Sequence, residues 1–428
     1  MQPEKPALFR TGVIIESFLQ PRWVRKSLEN ALATKLCKFT LAVKVTPPTK
    51  SGGSLLYKLY DRIDRRLFPT AAMERVSVED LFSEASVIEV ISNIVEFDLD
   101  LLINFAAIGW NKRVSNSAKN GVWFYDFGDS AGFDEVMNQV PITHSSLRSL
   151  KGDTEQTIYQ SVSPTLSRFS VGLNNNTCYW KSAAFVARAL RDLHAGEVLS
   201  VDHRTATSRT PGNAAMTGMF LKLSGRAAAR AVEKFSSCEQ WILAYRFDRD
   251  EFKYLMPPAD RFWADPFQLK VDDKYYIFFE DYVNSAGRAH ISVVEIDRNG
   301  IVSGPTEVLK LDCHLSYPFV FEWQGNHYMI PETGERNVVE LYRAHSFPFD
   351  WRPEKILLEA RSPLDATLVE VEGKWWMFVN IQEEGVAVNW DELHLYYAES
   401  PLGPWQPHAR NPVVSNVLSA RPAGRLFW

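Results

Sequence analysis

The chain repeats itself after residue 260, and this repeat limits what it can fold into more than any other feature. "ADPFQLKVDDKYYIFF" recurs as "SYPFVFEWQGNHYMIP", again as "LDATLVEVEGKWWMFV", and begins once more as "ARPAGRLFW". Setting Asp265, Tyr317, Asp365 and Arg421 in register gives spacings of 52, 48 and 56 residues. Each unit reads as a strand, a tight acidic or Gly turn and an aromatic strand. Further strand-like segments follow: "HISVVEI", "VVELYRA" and "ELHLYYA". A repeat of about 50 residues holding several strands is the pattern of propeller blades. The shared start would open the innermost strand of each blade, so the four aligned residues are expected to face one axial channel. The 13 Trp, 15 Tyr and 26 Phe concentrate after residue 239, which suits β structure and surfaces that stack on sugar rings.

The first 200 residues have a different texture. "TGVIIES" and "KFTLAVKV" read as buried strands, with "PRWVRKSLENALA" as the helix between them and "DLDLLINFAA" as a later strand. Alternation of this kind predicts a mostly parallel, Rossmann-like sheet with crossover helices. "TPPTKSGGS" reads as a surface loop. "AAMTGMFLKLSGRAAARAVEKFS", residues 214 to 236, carries a helical period and links the halves. The expected organisation is an α/β domain over residues 1–200, a helical connector over 201–238 and an all-β domain over 239–428.

Charge and cysteine usage exclude several classes. A net charge of -5 argues against a nucleic-acid surface, which needs clustered Lys and Arg. Cys37, Cys178, Cys238 and Cys313 stand far apart without a CxxC, so neither a zinc site nor a disulfide framework is indicated, and no metal is expected. No window reaches the roughly 18 apolar residues of a membrane span. "MQPEKPALFRTG" lacks the apolar core of a signal peptide, and a cytoplasmic location is the expectation. The fourth repeat stops inside a strand. That points to a longer product, or else "EQWILAYRF" closes the ring.

The region from about Glu239 onward resembles the five-bladed propellers of family-43 glycoside hydrolases. More closely, it resembles the propeller-like N-terminal domain of plant glucosamine inositolphosphorylceramide transferases. "RFWADPF", "LSYPFVFEWQGNHYMIPET" and "YYAESPLGPWQPH" carry the likeness. In the hydrolases, three carboxylates reach the channel from successive blade starts, because glycoside hydrolysis needs an acid and a base on opposite sides of the sugar. The resemblance puts Asp265 at the base position and Asp365 at the acid position, with Tyr317 where the third carboxylate would stand. Glu280 and Glu332 end matching second strands and are further pocket candidates. Trp263, His314 and Arg421 join Tyr317 and Glu280 as expected substrate-binding residues. The simpler reading of Asp265 is a turn residue that hydrogen-bonds backbone amides before Pro266.

"DLLINFAAIGW", "NGVWFYDFGD" and "NNTCYWKSAAFVARALRDLH" resemble formyltransferase-like proteins whose N-terminal domain is related to methionyl-tRNA formyltransferase. In that family an Asn, a His and an Asp carry the chemistry, with a folate as formyl donor. The resemblance places Phe124 at the Asn position, Asp126 at the His position and Asp153 at the Asp position. One catalytic group of three remains, so folate is not expected as a cofactor. His144 and Asn174 to Asn176 are possible replacements that spacing does not single out.

The two resemblances together imply a transferase-like protein that modifies or assembles a glycan or glycolipid, with Asp265, Asp365 and Glu332 at the saccharide and Asp153 in the first domain. The alternatives are a non-catalytic carbohydrate-binding scaffold, docking a separate glycosyltransferase, and a glycoside hydrolase.

Overall fold

The computed structural model of the chain describes residues 8–46, 54–89, 91–106, 112–127, 132–197, 211–236, 240–382 and 388–426. The "TPPTKSGGS" loop, except at its edges, and Cys238 lie outside them. The chain forms two units, one through Ala231 and one from Val232 onward. Among the described residues no helix is long and apolar enough to cross a membrane. The helix predicted between the halves spans Asn213–Ser236, and its Met216 and Met219 pack with Tyr60, Phe133 and Val136 of the first unit.

The first unit is built on a seven-stranded mixed sheet. Its order is Ser86–Ile88, Cys37–Lys44, Phe9–Ile15, Leu101–Asn104, Val122–Asp126, Ile142–Lys151 and Thr154–Pro164. The first five strands run parallel, while the last two form an antiparallel hairpin on the edge. The sheet is thus mostly parallel, as the alternation of strands and helices implied, with an antiparallel hairpin on one edge. Val13 and Ile15 face one core, with the helices Arg22–Ala33 and Phe185–His194, and Ile14 faces another with Leu41 and Leu102. Apolar side chains on both faces make these short strands continuous hydrophobic runs, as a sheet covered on both sides requires.

The second unit contains three consecutive four-stranded antiparallel sheets. They span Arg261–Leu309, Ser316–Glu359 and Leu364–Pro407, each with its strands in chain order. Phe267 and Phe278 of the first sheet, Phe319 and Met329 of the second, and Leu368 and Met377 of the third belong to one core. The opening strand of the middle sheet, Ser316–Trp323, is buried along its first six residues. Among the described residues three such sheets are observed and a closed five-bladed ring is not. "EQWILAYRF" does not complete a blade either, because Leu243–Tyr245 pairs only with Lys253–Leu255 as a two-stranded ribbon. Nor does Arg421 open a strand: residues 408–426 form no regular strand, apart from an isolated bridge between Leu393 and Val414.

The sequence repeat has a backbone counterpart. The opening strand of every sheet carries a bulge at the same place: between Ala264 and Phe267, between Ser316 and Phe319, and between Leu364 and Thr367. The first bulged residue has a positive φ each time, 48° at Asp265, 44° at Tyr317 and 54° at Asp365. L-residues avoid this region, at a cost of about 1–2 kcal/mol, so three instances at matching positions are a built feature. A bulge re-aims one side chain and frees one amide from the ladder. Pro266 and Pro318 exploit the freed position, since proline has no N–H to donate.

The hairpin turns repeat as well, with Gln324-Gly325 and Glu372-Gly373 both at positive φ. This is the two-residue turn that favours Asn-Gly. Glu372→Asn should therefore raise stability by about 0.5 kcal/mol, read as an upward shift in thermal or urea midpoint.

A candidate saccharide site in the second unit

The three bulges and the segment after Arg421 meet at one cavity. It has a volume of about 600 Å³ and is bordered by Asp265, Tyr317, Asp365 and Arg421, with Trp241 and Trp263 among its walls. The four residues aligned from sequence thus come together, although Arg421 arrives on an irregular segment rather than a strand. Glu280 pairs across from Ala264 and Glu332 across from Ser316, so the two glutamates hold equivalent places on adjacent sheets. The third equivalent is Asn380, opposite Leu364. It is fully buried and donates to the carbonyls of Glu392 and Ala420, fixing the start of the segment that delivers Arg421.

The acids occur in pairs. Asp265 lies beside Glu280 and the Tyr317 backbone, so the first bulge meets the second. Glu332 lies beside Asp365, with its Oε2 buried and without a hydrogen-bond partner among the described residues. Burial, with the neighbouring Asp265 charge, pushes Glu280 up to about 8. Burial and Asp365 likewise push Glu332 up to about 8, and Asp265 is raised by burial and by Asp365. Carboxyl pairs of this kind hold a shared proton near neutrality because two adjacent buried charges repel.

Arg421 supplies the compensating positive charge. Its Nε and Nη2 donate to the two oxygens of Asp365 at 2.5 and 3.3 Å. Asp365 exposes no surface, whereas the Arg421 side chain is 51% exposed. Asp365 therefore holds Arg421 toward the cavity and does not itself present a free carboxylate there. The Tyr317 hydroxyl is also occupied, accepting from the Gly424 amide at 2.9 Å and bonding Thr367 Oγ1 at 2.8 Å. Asp265 is the half-buried acid left facing the space.

The remaining expected residues fall nearby. Trp263 is buried against Phe279 and presents little surface for stacking, so its part is mainly packing. His314 accepts the Ala289 amide through Nδ1 and sits 3.4 Å from Glu280 through Nε2. Asp281, next to Glu280, turns instead to Ser292, His290 and Arg261. The sequence missed Trp241, which is 59% exposed at the cavity and lies outside the repeat.

The sites expected in the first unit stay apart. Asp153 lies in the exposed hairpin turn after Lys151. Asp126 pairs with Arg148 at 3.1 Å, and the same guanidinium lies 5.9 Å from the Phe124 ring. His144 meets Gln160, Asn174 closes a loop onto Ser167, and Asn176 accepts the Ala72 amide. Ligands of open α/β sheets bind beyond the carboxyl ends of the strands. Here Phe105 and Phe127 follow two such ends and pack with Trp23, Tyr125 and Tyr179.

Comparisons with known proteins bear on the second unit. Residues 252–428 match the family profile "Glucosamine inositolphosphorylceramide transferase 1, N-terminal". Glucosamine inositolphosphorylceramide transferase 1 of Oryza sativa subsp. japonica is 38% identical over 170 residues, covering 39% of this chain and 23% of the relative. The Arabidopsis thaliana protein of the same name is 37% identical over 170 residues, with coverages of 39% and 22%. The chain thus spans less than a quarter of the length of these relatives. Among solved structures, a thermostable family-43 glycoside hydrolase is 14% identical with a TM-score of 0.29, over 36% of this chain and 56% of that one. The exo-beta-1,3-galactanase of Phanerochaete chrysosporium is 12% identical with a TM-score of 0.33, over 41% and 45%. Scores that low carry no argument. The matched residues 252–428 lie outside the first unit and do not bear on its formyltransferase resemblance.

Two outcomes follow from the charges. Arg421→Ala strands the buried Asp365 carboxylate and should cost about 3 kcal/mol in urea unfolding; adding Asp365→Asn should recover part of that loss. Glu280 and Glu332 keep protons in the fold up to about pH 8, whereas an unfolded Glu releases its proton near 4.5. Their contribution is therefore full below pH 4.5 and is lost as pH rises toward 8. Relative to wild type, Glu280→Gln/Glu332→Gln should gain on the order of 3–4 kcal/mol per substituted group between pH 5 and 8.5, a difference that acid–base unfolding series measure directly.

Proposed function

We propose that the second unit holds the saccharide part of a glycan or glycolipid for a transferase reaction. The observation that carries this reading is the cluster of buried carboxyls, Glu280 beside Asp265 and Glu332 beside Asp365, whose two aspartates border one cavity together with Arg421. Sugar hydroxyls both donate and accept. A half-ionised carboxyl pair offers an acceptor and a donor in one fixed place, and Arg421 adds donors only. Trp241 supplies an exposed ring for a sugar face. The match to the N-terminal part of glucosamine inositolphosphorylceramide transferases supports a glycolipid as the class of substrate.

The first unit acts here as a structural partner that has lost formyl transfer and needs no folate. Phe124 offers no hydrogen bond to an oxyanion, Asp126 is neutralised by Arg148, and aromatic rings fill the ends of the central strands. One observation also favours a binding scaffold over an enzyme: Asp365, the expected acid, is tied to Arg421 and exposes no surface. The same tie weighs against hydrolysis, which would require Asp365 or Glu332 to reach a leaving oxygen.

Asp265→Asn keeps the shape of the side chain while removing its charge, and should weaken saccharide binding at least about tenfold with little change in stability. Tyr317→Phe should act more mildly, because the lost hydroxyl serves the neighbouring backbone. Calorimetric titration with oligosaccharides and glycolipid headgroups checks both. Unchanged affinity in Asp265→Asn would make it a turn residue and remove the basis of this reading. Release of reducing sugar by the wild type, lost in Asp265→Asn, would replace it with a hydrolase.

A further inference from the structure

The helix Leu55–Leu67 of the first unit, "LLYKLYDRIDRRL", turns one face to the protein. Tyr60 and Asp64 are buried on that face. The Tyr60 hydroxyl donates to the Phe169 carbonyl at 2.8 Å, and Asp64 accepts the Gly172 amide at 2.7 Å. Leu56 and Tyr57 pack beside them with Phe133, Val136, Met216 and Met219. These ties fix the rotation of the helix, because residues three and four apart share a face. The outward face then carries Leu55, Leu59, Ile63 and Leu67, one at every fourth position, at 77, 48, 43 and 65% exposure. At 1.5 Å of rise per residue they form an apolar stripe about 18 Å long. A helix on a water-facing surface puts polar residues there instead.

Cations flank the stripe. Lys58, Arg62, Arg65 and Arg66 are all exposed, whereas the two acids of the helix are drawn inward. Asp64 is buried, and Asp61 is half-buried and paired with Arg65 at 3.0 Å. Lys58, Arg62 and Arg66 make no ion pair among the described residues. The chain as a whole carries a net charge of -5, so this arc is positive against an acidic background. Leu and Ile beside Lys and Arg on one exposed arc match a surface that is apolar just below a negative layer. A second copy would set its own cations against these. A protein groove would grip more of the helix, but the Tyr60 and Asp64 face is already taken by residues 169–172.

We propose that this helix docks the first unit onto an anionic phospholipid surface, lying in the interface without crossing it. The inference is independent of the saccharide reading, since it concerns the other unit and different residues. The stripe enters the acyl boundary while the cations meet the phosphates, each cation strengthening binding about fivefold.

The test floats the full chain with extruded vesicles of phosphatidylcholine, alone or with about a third phosphatidylserine. Neither contains sugar, so the acidic cavity of the second unit plays no part. The chain should partition to the anionic vesicles at least about tenfold more strongly than to the neutral ones, and less so as salt is raised. Arg62→Glu/Arg66→Glu should weaken that partition about tenfold or more, and Leu59→Ser/Ile63→Ser likewise. All four side chains are exposed, so both variants should fold, which near-UV circular dichroism checks. No partition to either vesicle, equal partition to both, or binding that both double variants leave intact overturns the proposal. Sedimentation equilibrium reads the rival occupant. A dimer dispersed by Leu59→Ser/Ile63→Ser, without vesicle binding, would give the stripe to a second copy and overturn the proposal as well.

Discussion

A carboxylate that exposes no surface, tied to one guanidinium, sets the terms for the second unit. Asp365 and Arg421 lie 56 residues apart, so their pair closes the end of the segment onto the third sheet. Burying an ion is costly unless its partner geometry is good. Two nitrogens of one guanidinium meeting both oxygens meet that condition. Burial, with Asp365 beside it, pushes Glu332 up to about 8, and burial beside Asp265 does the same to Glu280 on the first sheet. The positive φ values at the bulges are the backbone side of this arrangement. Strain at Asp265, Tyr317 and Asp365 aims three side chains at one space, and the packed core of the middle sheet holds them there.

Much of this was legible in the sequence because a repeat is a one-dimensional record of a three-dimensional register. The Asp-Pro and Tyr-Pro starts marked matching strand openings, though not the bulges there, and the near-equal spacing brought Asp265, Tyr317, Asp365 and Arg421 together. Glu280 and Glu332 were visible as matching strand ends. Their partners were not, because a side-chain pair across a bulge depends on which residue the ladder skips. Nor could the pattern show that Asp365 would be fully buried, which changes it from a presumed acid into the residue that positions Arg421. Arg421 itself aligned with strand starts yet sits on irregular backbone. The motif specified its place at the channel without specifying its hydrogen-bonded ladder. Trp241 lay outside the repeat and had no periodic signal.

In the first unit the alternation of strands and helices predicted a mostly parallel sheet, but the edge hairpin Ile142–Pro164 was not singled out. Local pattern does not encode strand direction, which here follows from a two-residue turn rather than a crossover helix. The candidates Asp126 and Asp153 were chosen by position in a resemblance. In the fold they are separated by what each strand pairs with: Asp126 faces Arg148, and Asp153 lies at the solvent tip.

The central claim is that buried, proton-holding carboxyls form a saccharide-gripping surface. Difference infrared spectroscopy at pH 7, with and without bound oligosaccharide, tests it most directly. The account predicts a protonated-carboxyl band in the free protein that shifts when sugar binds and diminishes in Glu280→Gln and Glu332→Gln. A spectrum with no protonated carboxyl at pH 7, or with a band that sugar leaves unmoved, would contradict it.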